Sequence, residues 1–249
     1  MSKVKYCWNC GASVEESEKF CPECGAKLDA DDSPQPAAMR EPSQGEAYTG
    51  TPRGVDKKAL DHLTTGFSVA MEQPMVFLPP IISGILGFLV GYTLSNFYLG
   101  DFLSTVIGLS SSIISFILNF ASIDMSRDAY YKQPLDLGQS IGYVLGRFLI
   151  FLVAAIFGGI LSITIILIPV VLFMFVIMVM DETGIIDALK KAFSVIGADL
   201  ADVLIIIVVS IIASFVISYV PYVSTLLNAA VNVIIGLAFI DIYATYKAK

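Results

Sequence analysis

Residues 148–180 read FLIFLVAAIFGGILSITIILIPVVLFMFVIMVM and contain no charged side chain. The apolar character begins slightly earlier, at Ile141. A helix needs about 20 apolar residues to cross the hydrocarbon core of a bilayer. Residues 141–180 are therefore too many for one crossing and just enough for two, which predicts a helical hairpin with a turn near Leu161–Thr164.

Two other stretches of the chain have the same character. Between Glu72 and Asp124 the only charged residue is Asp101, and residues 203–240 carry no charge at all. Each stretch is long enough for two crossings. The sequence therefore predicts an all-α polytopic membrane bundle over residues 74–249, with six transmembrane helices in three hairpins. The predicted spans are residues 75–96, 103–123, 142–161, 165–181, 202–219 and 223–245.

The basic residues predict how these hairpins are oriented. All fifteen Lys and Arg residues lie before position 59, between positions 127 and 147, at positions 190–191, or after position 246. None lies in a predicted turn at the far side of a hairpin. Because Lys and Arg accumulate on the cytoplasmic side, we expect a protein of the cell membrane with both termini in the cytoplasm. A mean hydropathy of +0.77 with only 15% charged residues excludes an ordinary water-soluble globule.

The residues before the first hairpin are soluble in character. Residues 29–55 are acidic and rich in Pro, Ser, Ala and Gly, which predicts a disordered linker. Residues 56–73 predict an amphipathic helix lying in the membrane interface. Its expected apolar face comprises Leu60, Leu63, Phe67, Ala70 and Met71. An alternative is that this face docks the N-terminal module.

The four cysteines carry the clearest chemistry in the chain. They form two Cys-x-x-Cys pairs, made by Cys7, Cys10, Cys21 and Cys24. Four thiolates in this pattern can close a tetrahedral Zn²⁺ site that has no open position, so we expect one structural zinc ion. Two disulfides are an alternative, which the reducing cytoplasm opposes. Iron in the same sulfur site is another, although ten intervening residues are few for a redox protein.

Residues 6–28 resemble the very small zinc ribbons found at the ends of prokaryotic proteins, and residues 1–28 are the expected zinc-ribbon domain. About 25 residues cannot fold without a staple, so the metal supplies the folding energy. Residues 1–30 contain four Lys and five acidic residues, and this lack of a basic stripe argues against nucleic-acid binding. Trp8 is a candidate for contact with a cytoplasmic protein partner; alternatively it only shields the metal.

The membrane half also resembles a known family. The segments that carry the likeness are Glu72–Pro80, Leu167–Val170 and Asp187–Ser194. They look like the six-span proteins related to the membrane domain fused to some glycerophosphodiester phosphodiesterases, over roughly residues 60–245. The resemblance implies a bundle of hairpins. The catalytic domain of those enzymes has no counterpart here, so no such activity is implied.

Small and polar residues recur at every fourth position in several predicted spans. Asn119 ends such a row in span two, Ser210, Ser214 and Ser218 form one in span five, and Asn228 and Asn232 belong to one in span six. Small residues at this spacing let helices approach closely, which is the structural interpretation. The functional alternative is that these faces line a polar cavity. Asn232 lies near the expected midplane, where an unpartnered amide is costly.

Three charged residues fall within or at the ends of predicted spans. Arg147 lies about six residues, or roughly 9 Å, inside span three. Asp124 and Asp241 lie at a comparable depth in spans two and six. We expect Arg147 to pair with Asp241, Asp124 or both, because a buried carboxylate without a partner is costly. The alternative is that Arg147 reaches lipid phosphates.

The sequence offers little for catalysis. The single histidine, His62, falls on the predicted interfacial helix, and no nucleotide or metalloprotease motif is present. We therefore expect a protein that is not an enzyme, in contact with membrane lipids, whose zinc ribbon serves protein–protein contact. The alternative function is a transporter or channel for a small solute or lipid, which uses the polar faces of spans two, five and six.

Overall fold

The computed structural model describes residues 5–6, 13–14, 57–220 and 224–248, without the side chains at positions 5, 6, 13, 14, 165 and 225. The chain divides into two compact units, Met1–Glu41 and Pro42–Lys249. The four cysteines, Trp8 and the predicted linker at residues 29–55 lie outside the described residues. The interpretations placed on them stay predictions from the sequence.

In the N-terminal unit two short strands are described. Strand β1 (Lys5–Tyr6) and strand β2 (Ser13–Val14) pair in antiparallel register, with Lys5 opposite Val14 and Tyr6 opposite Ser13. The six residues between the strands contain the first Cys-x-x-Cys pair. The pairing thus brings together the chain on either side of that pair.

The second unit is helical throughout its described length. Its helices are α1 (Ala59–Glu72), α2 (Leu78–Asn96), α3 (Asp101–Tyr130), α4 (Leu137–Gly146), α5 (Phe148–Ser162), α6 (Ile168–Met180), α7 (Ile185–Ala198), α8 (Leu200–Ser218) and α9 (Ser224–Ala248). Two 3₁₀ turns, Pro74–Phe77 and Ile165–Leu167, precede α2 and α6. Proline suits both helix starts, because the first turn of a helix needs no N–H from it.

Within residues 57–220 and 224–248, four helical segments are long and apolar enough to cross a membrane. They are Pro74–Asn96, Asp101–Tyr130, Leu200–Ser218 and Leu226–Ala248. The number becomes five if α4 and α5 together form one broken span, since they meet at a bend of 76°. The length and composition of these helices are consistent with a membrane protein. The count of six spans is not confirmed.

The middle hairpin is where the predicted spans and the helices differ. The predicted span 142–161 is broken at Arg147, where α4 ends and α5 begins. The predicted span 165–181 corresponds to α6, which has only 13 residues. The sequence did not indicate either feature. A single basic residue such as Arg147 can lie within a helix or between two helices, and the residues between Ile165 and Met180 are apolar on both sides of the start of α6.

A short helix precedes each of the three hairpins. Helix α1 precedes α2 and α3, α4 precedes α5 and α6, and α7 precedes α8 and α9. Asp136 starts α4 as an N-cap, since its carboxylate accepts hydrogen bonds from the backbone N–H groups of Gly138 and Gln139. This order repeats one supersecondary unit three times, at unequal spacing.

Helices α9 and α6 form the centre of the bundle. Helix α9 packs against α1, α2, α3, α6 and α8. The side chains of Phe173, Met174, Ile177, Leu237 and Ile240 are fully buried between these helices. Helices α2 and α8 are mostly exposed and present apolar side chains outward, as expected of helices that face lipid.

Helix α1 docks on α9 through its small residues and not through its large apolar ones. Its buried residues are Ala59, His62, Gly66, Val69 and Ala70. A Cβ at Gly66 would lie 2.7 Å from the carbonyl oxygen of Ile234, so the two backbones are nearly in contact. Of the apolar face expected from the sequence, Leu60, Phe67 and Met71 are exposed.

Candidate functional site

A buried carboxylate, Asp241, joins α9 to α1 and α3. Its oxygens lie 2.8 and 2.9 Å from Lys57 Nζ, and Tyr130 donates a hydrogen bond of 2.8 Å to Oδ1. His62 Nδ1 lies 2.7 Å from Oδ2. Because a carboxylate only accepts, Nδ1 is the protonated ring nitrogen. Asp241 is fully buried, and the Lys57 side chain is only 7% exposed.

This cluster corrects two expectations. Asp241 does not pair with Arg147, and His62 is buried against the bundle instead of lying on the outer face of an interfacial helix. Reasoning from the sequence missed Lys57, His62 and Tyr130 as partners of Asp241. The available signal was the row of small residues that flanks His62 at helical spacing, because that row predicts a face in close contact with another helix.

Arg147 has a different partner from the one expected. Its Nη2 lies 2.9 Å from Glu182 Oε2, and its Nη1 donates a 3.1 Å hydrogen bond to the Glu182 carbonyl oxygen. The break between α4 and α5 places Arg147 beside the end of α6, where Glu182 adopts a positive φ of 52°. The expected ion pair of Arg147 with Asp241 or Asp124 is therefore wrong.

Asp124 is paired within its own helix. Arg127, one turn later in α3, places Nη2 2.7 Å from Asp124 Oδ1, and its Nη1 donates to the carbonyl oxygen of Val179 at 3.0 Å. The guanidinium groups of Arg127 and Arg147 both lie over the ring of Tyr143, at 5.5 and 5.2 Å from its centroid. Cation–π attraction thus adds to the ion pairs.

A third carboxylate, Asp181, follows the end of α6. It accepts hydrogen bonds from Lys191, Tyr243 and Lys247, and so connects α6 to α7 and α9. Burial raises the pKa of Asp181, but the three hydrogen bonds outweigh burial and hold the pKa below its ordinary value of 3.8.

These groups form one set at one end of the bundle, which we call the ion-pair network. Its members are Lys57, His62, Asp124, Arg127, Asp128, Tyr130, Arg147, Asp181, Glu182, Lys191, Asp241, Tyr243 and Lys247. Five permanent cations face five carboxylates, so the network is neutral before any charge on His62. Its geometry fastens helices together.

No three His, Cys, Asp or Glu side chains within residues 57–220 and 224–248 converge on a point that could hold a metal ion. The predicted metal site therefore still rests on the two cysteine pairs near the N-terminus.

A cleft of about 900 Å³ lies among α2, α3, α6, α8 and α9. Its polar lining consists of Ser83, Asn119, Ser122, Ser210, Asn228 and Asn232. Phe88, Phe175 and Phe239 belong to its apolar lining. The cleft thus brings together the three asparagines singled out from the sequence, whereas Asp124, Arg147 and Asp241 lie in the ion-pair network.

Asn119 and Asn232 lie at a similar level in the bundle. Asn119 precedes Tyr130 by 11 residues along α3, and Asn232 precedes Asp241 by nine residues along α9. At a rise of 1.5 Å per residue, these separations are about 16 and about 13 Å. Since Tyr130 and Asp241 are hydrogen-bonded, both asparagines lie roughly half a hydrocarbon thickness away from that contact.

The cleft contains a buried polar atom without a partner within the described protein. The carboxamide oxygen of Asn228 is buried and receives no hydrogen bond from any described residue. Asn119 and Asn232 are exposed in the cleft. Unlike the ion-pair network, the cleft therefore presents amides that need a partner from outside the chain.

Comparison with known proteins identifies one part of the chain. Residues 6–28 match the family model of a zinc-ribbon domain. No curated protein and no solved structure matches the chain, and the likeness of the membrane half to the phosphodiesterase-associated domain gains no support. The apolar helices and the match together suggest a membrane protein that carries a zinc-ribbon domain at residues 6–28. That domain suggests zinc binding.

Proposed function

We propose that this protein is a non-catalytic membrane protein whose bundle binds a small molecule in the cleft and carries it within or across the membrane. The observation that carries the proposal is the set of unpartnered amides in the cleft. Moving an amide from water into hydrocarbon without a hydrogen-bond partner costs on the order of several kcal/mol. A bundle that keeps three such amides in one cleft needs water or a polar ligand there.

The charges support the non-catalytic part of the proposal. The cations and carboxylates of the network are bonded to one another at helix contacts. The one described histidine is held by Asp241. A general acid or base must reach a substrate, and these groups instead reach each other.

Native mass spectrometry tests the binding step. We expect protein extracted in a mild detergent to retain a bound molecule of constant mass. The double variant Asn228→Leu/Asn232→Leu should lose it, whereas Asn96→Leu, at the exposed end of α2, should retain it. Equal adducts in all three proteins, or none in the unchanged protein, would contradict binding in the cleft.

In the topology proposed with this function, the protein lies in the cell membrane and both of its termini are in the cytoplasm. The charged residues of the network lie at the ends of their helices, on the side to which the basic residues assign the cytoplasm. Four helices cross the membrane, namely α2, α3, α8 and α9. Helices α5 and α6 enter and leave from the cytoplasmic side, which preserves the orientation expected from three hairpins.

The lengths of α5 and α6 support a re-entrant hairpin. Helix α5 has 15 residues and α6 has 13, which correspond to about 22 and about 20 Å against a hydrocarbon core of about 30 Å. Ile163 and Ile166 at the tip are each 83% exposed. The other turns expose Tyr98 and Tyr219 instead. Tyrosine is typical of the membrane interface, and isoleucine of its interior.

Labelling with a membrane-impermeant maleimide tests this topology. In intact cells we expect Tyr98→Cys to be labelled and Thr164→Cys to be protected. Equal labelling of both positions supports six crossings instead. External labelling of Lys190→Cys would contradict the cytoplasmic assignment of the network.

The zinc-ribbon domain favours a second function. A ribbon of this size has no room for an active site, so we propose that it contacts a cytoplasmic protein partner, with Trp8 as the candidate anchor. Metal analysis of the full chain should give one Zn²⁺ per protein, lost in Cys7→Ser/Cys10→Ser. Crosslinking of the two proteins should then differ by a discrete partner. Identical crosslinks would refute the contact role.

A further inference from the structure

We propose that the ligand of the cleft is an uncharged amphiphile whose head donates a hydrogen bond, of the chemical class of a diacylglycerol. This inference rests on the proposed binding function and names the class of ligand. Three features of the cleft carry it, namely the absence of charge among its lining residues, an acceptor without a donor, and aromatic walls beside the polar groups.

The cleft offers its ligand no charge. Its polar lining consists only of serine and asparagine side chains. The nearest carboxylates and cations belong to the ion-pair network, where each is bonded to a partner of opposite charge. A phosphate or an ammonium group in the cleft would lack a counter-charge at a depth where an ion is costly. The cleft therefore selects an uncharged head.

Asn228 specifies a donor. Its carboxamide oxygen is buried and has no donor among the described residues. A ligand hydroxyl would supply the missing hydrogen bond, and the amides of Asn119 and Asn232 can both donate and accept. A purely accepting head, such as an ester alone, would leave the Asn228 oxygen unpaired, and an unpaired buried acceptor opposes binding.

The walls of the cleft specify the rest of the molecule. Phe88 from α2, Phe175 from α6 and Phe239 from α9 lie beside the polar groups. A volume of about 900 Å³ is at the upper end of the range for small-molecule sites and accommodates a glycerol head with the first part of its chains. A small hydrophilic solute would leave these aromatic surfaces without contact.

Photocrosslinking in phosphatidylcholine nanodiscs tests the inference. The probe is a diacylglycerol with a photoreactive acyl chain, and the comparison probe is phosphatidic acid with the same chain. We expect the diacylglycerol to label residues that line the cleft and unlabelled dioleoylglycerol to abolish that labelling. Phosphatidic acid should label the same residues at least tenfold less.

Variants then locate the hydrogen bond. Asn228→Leu should reduce the apparent affinity for the diacylglycerol probe by about fivefold, which corresponds to one neutral hydrogen bond. Asn232→Leu serves as a second, independent variant. The control is Asn96→Leu, which makes the same substitution outside the cleft and should bind the probe as the unchanged protein does. The competition experiment needs no variant and so does not depend on their folding.

Three outcomes would overturn the inference. Equal or stronger labelling by phosphatidic acid would show that charge is accepted. If neither probe labels the cleft although native mass spectrometry shows a bound molecule, this ligand class is rejected and the proposed binding function is not. Crosslinks from cleft residues to a second copy of the chain would show that protein fills the cleft. Absence of any bound molecule would instead reject the proposed function.

Discussion

The ion-pair network and the cleft are two polar regions of one apolar bundle, and they treat their polar groups in opposite ways. In the network, Asp241 is fully buried and bonded to Lys57, His62 and Tyr130. In the cleft, Asn228 has a buried oxygen without a described donor. The network contains full charges, which are costly to bury alone, whereas the cleft contains neutral amides.

The difference separates structural polar groups from functional ones. Groups that satisfy each other within the chain hold helices in place, and a ligand would have to displace those bonds to use them. Groups that lack an internal partner can bind without such competition. Substitutions in the network should therefore change stability, and substitutions in the cleft should change binding.

The largest expected effect is that of Asp241→Asn. The substitution keeps the volume of the side chain and removes the negative charge that Lys57 and His62 face. Breaking a buried ion pair by removing one partner costs about 3–5 kcal/mol. We expect a marked loss of folded yield and a lower thermal unfolding midpoint in detergent. Asp101→Asn, at the start of α3 in an exposed turn, is the matched control and should behave as the unchanged protein.

Gly66→Ala should have the next largest effect. The new methyl group would lie 2.7 Å from the Ile234 carbonyl oxygen and 3.0 Å from the Ala238 nitrogen, both of which are backbone atoms. Helix α1 must then shift away from α9, at a cost of about 1–3 kcal/mol. Gly197→Ala is the control, because nothing lies within 4 Å of its added carbon. An equal thermal midpoint for both variants would contradict the close docking of α1.

A double-mutant cycle of Arg147 with Glu182 should give a smaller effect. Both side chains are 28% exposed, so solvent weakens the ion pair. We expect a coupling free energy of about 1 kcal/mol from the thermal stabilities of the two single alanine variants and the double variant. The parallel cycle of Arg147 with Asp241 should give a coupling near zero. A larger coupling to Asp241 would reverse the assignment of partners.

The smallest expected effect is the pH dependence contributed by Asp181. Its pKa is below 3.8 in the folded protein, because the hydrogen bonds from Lys191, Lys247 and Tyr243 outweigh burial. Its contribution to stability is therefore fully present above about pH 4 and is lost as the pH falls through the lower, folded pKa. In Asp181→Asn, the thermal unfolding midpoint should fall less steeply as the pH is lowered below 4. Unchanged curves would contradict the depressed pKa.

The sequence was sufficient for the parts of the fold that depend on long apolar stretches. The hairpins of α2 with α3 and of α8 with α9 follow from their uncharged lengths, since a crossing requires about 20 apolar residues. The row of asparagine and serine in α9 was also visible, because its fourfold spacing places those residues on one helix face.

Other features depend on which helices become neighbours, and periodicity does not specify neighbours. The sequence gives no sign that α6 begins only at Ile168, because the apolar residues continue on its N-terminal side. Arg147 pairs with Glu182 only because the chain breaks between α4 and α5. Helix α1 turns its small residues inward, because close contact with α9 favours Gly66 over the larger Phe67. All three features are decided by tertiary contacts between helices.

The contrast between network and cleft is tested most directly by the thermal midpoint of Asn228→Leu in delipidated protein, measured beside Asp241→Asn in the same detergent. If Asn228 has no internal partner, leucine of similar size removes an unsatisfied polar group, and the midpoint should stay unchanged or rise. Asp241→Asn should lower it sharply. A fall for Asn228→Leu as large as that for Asp241→Asn would contradict the account, because it would show that the cleft amide holds the bundle together.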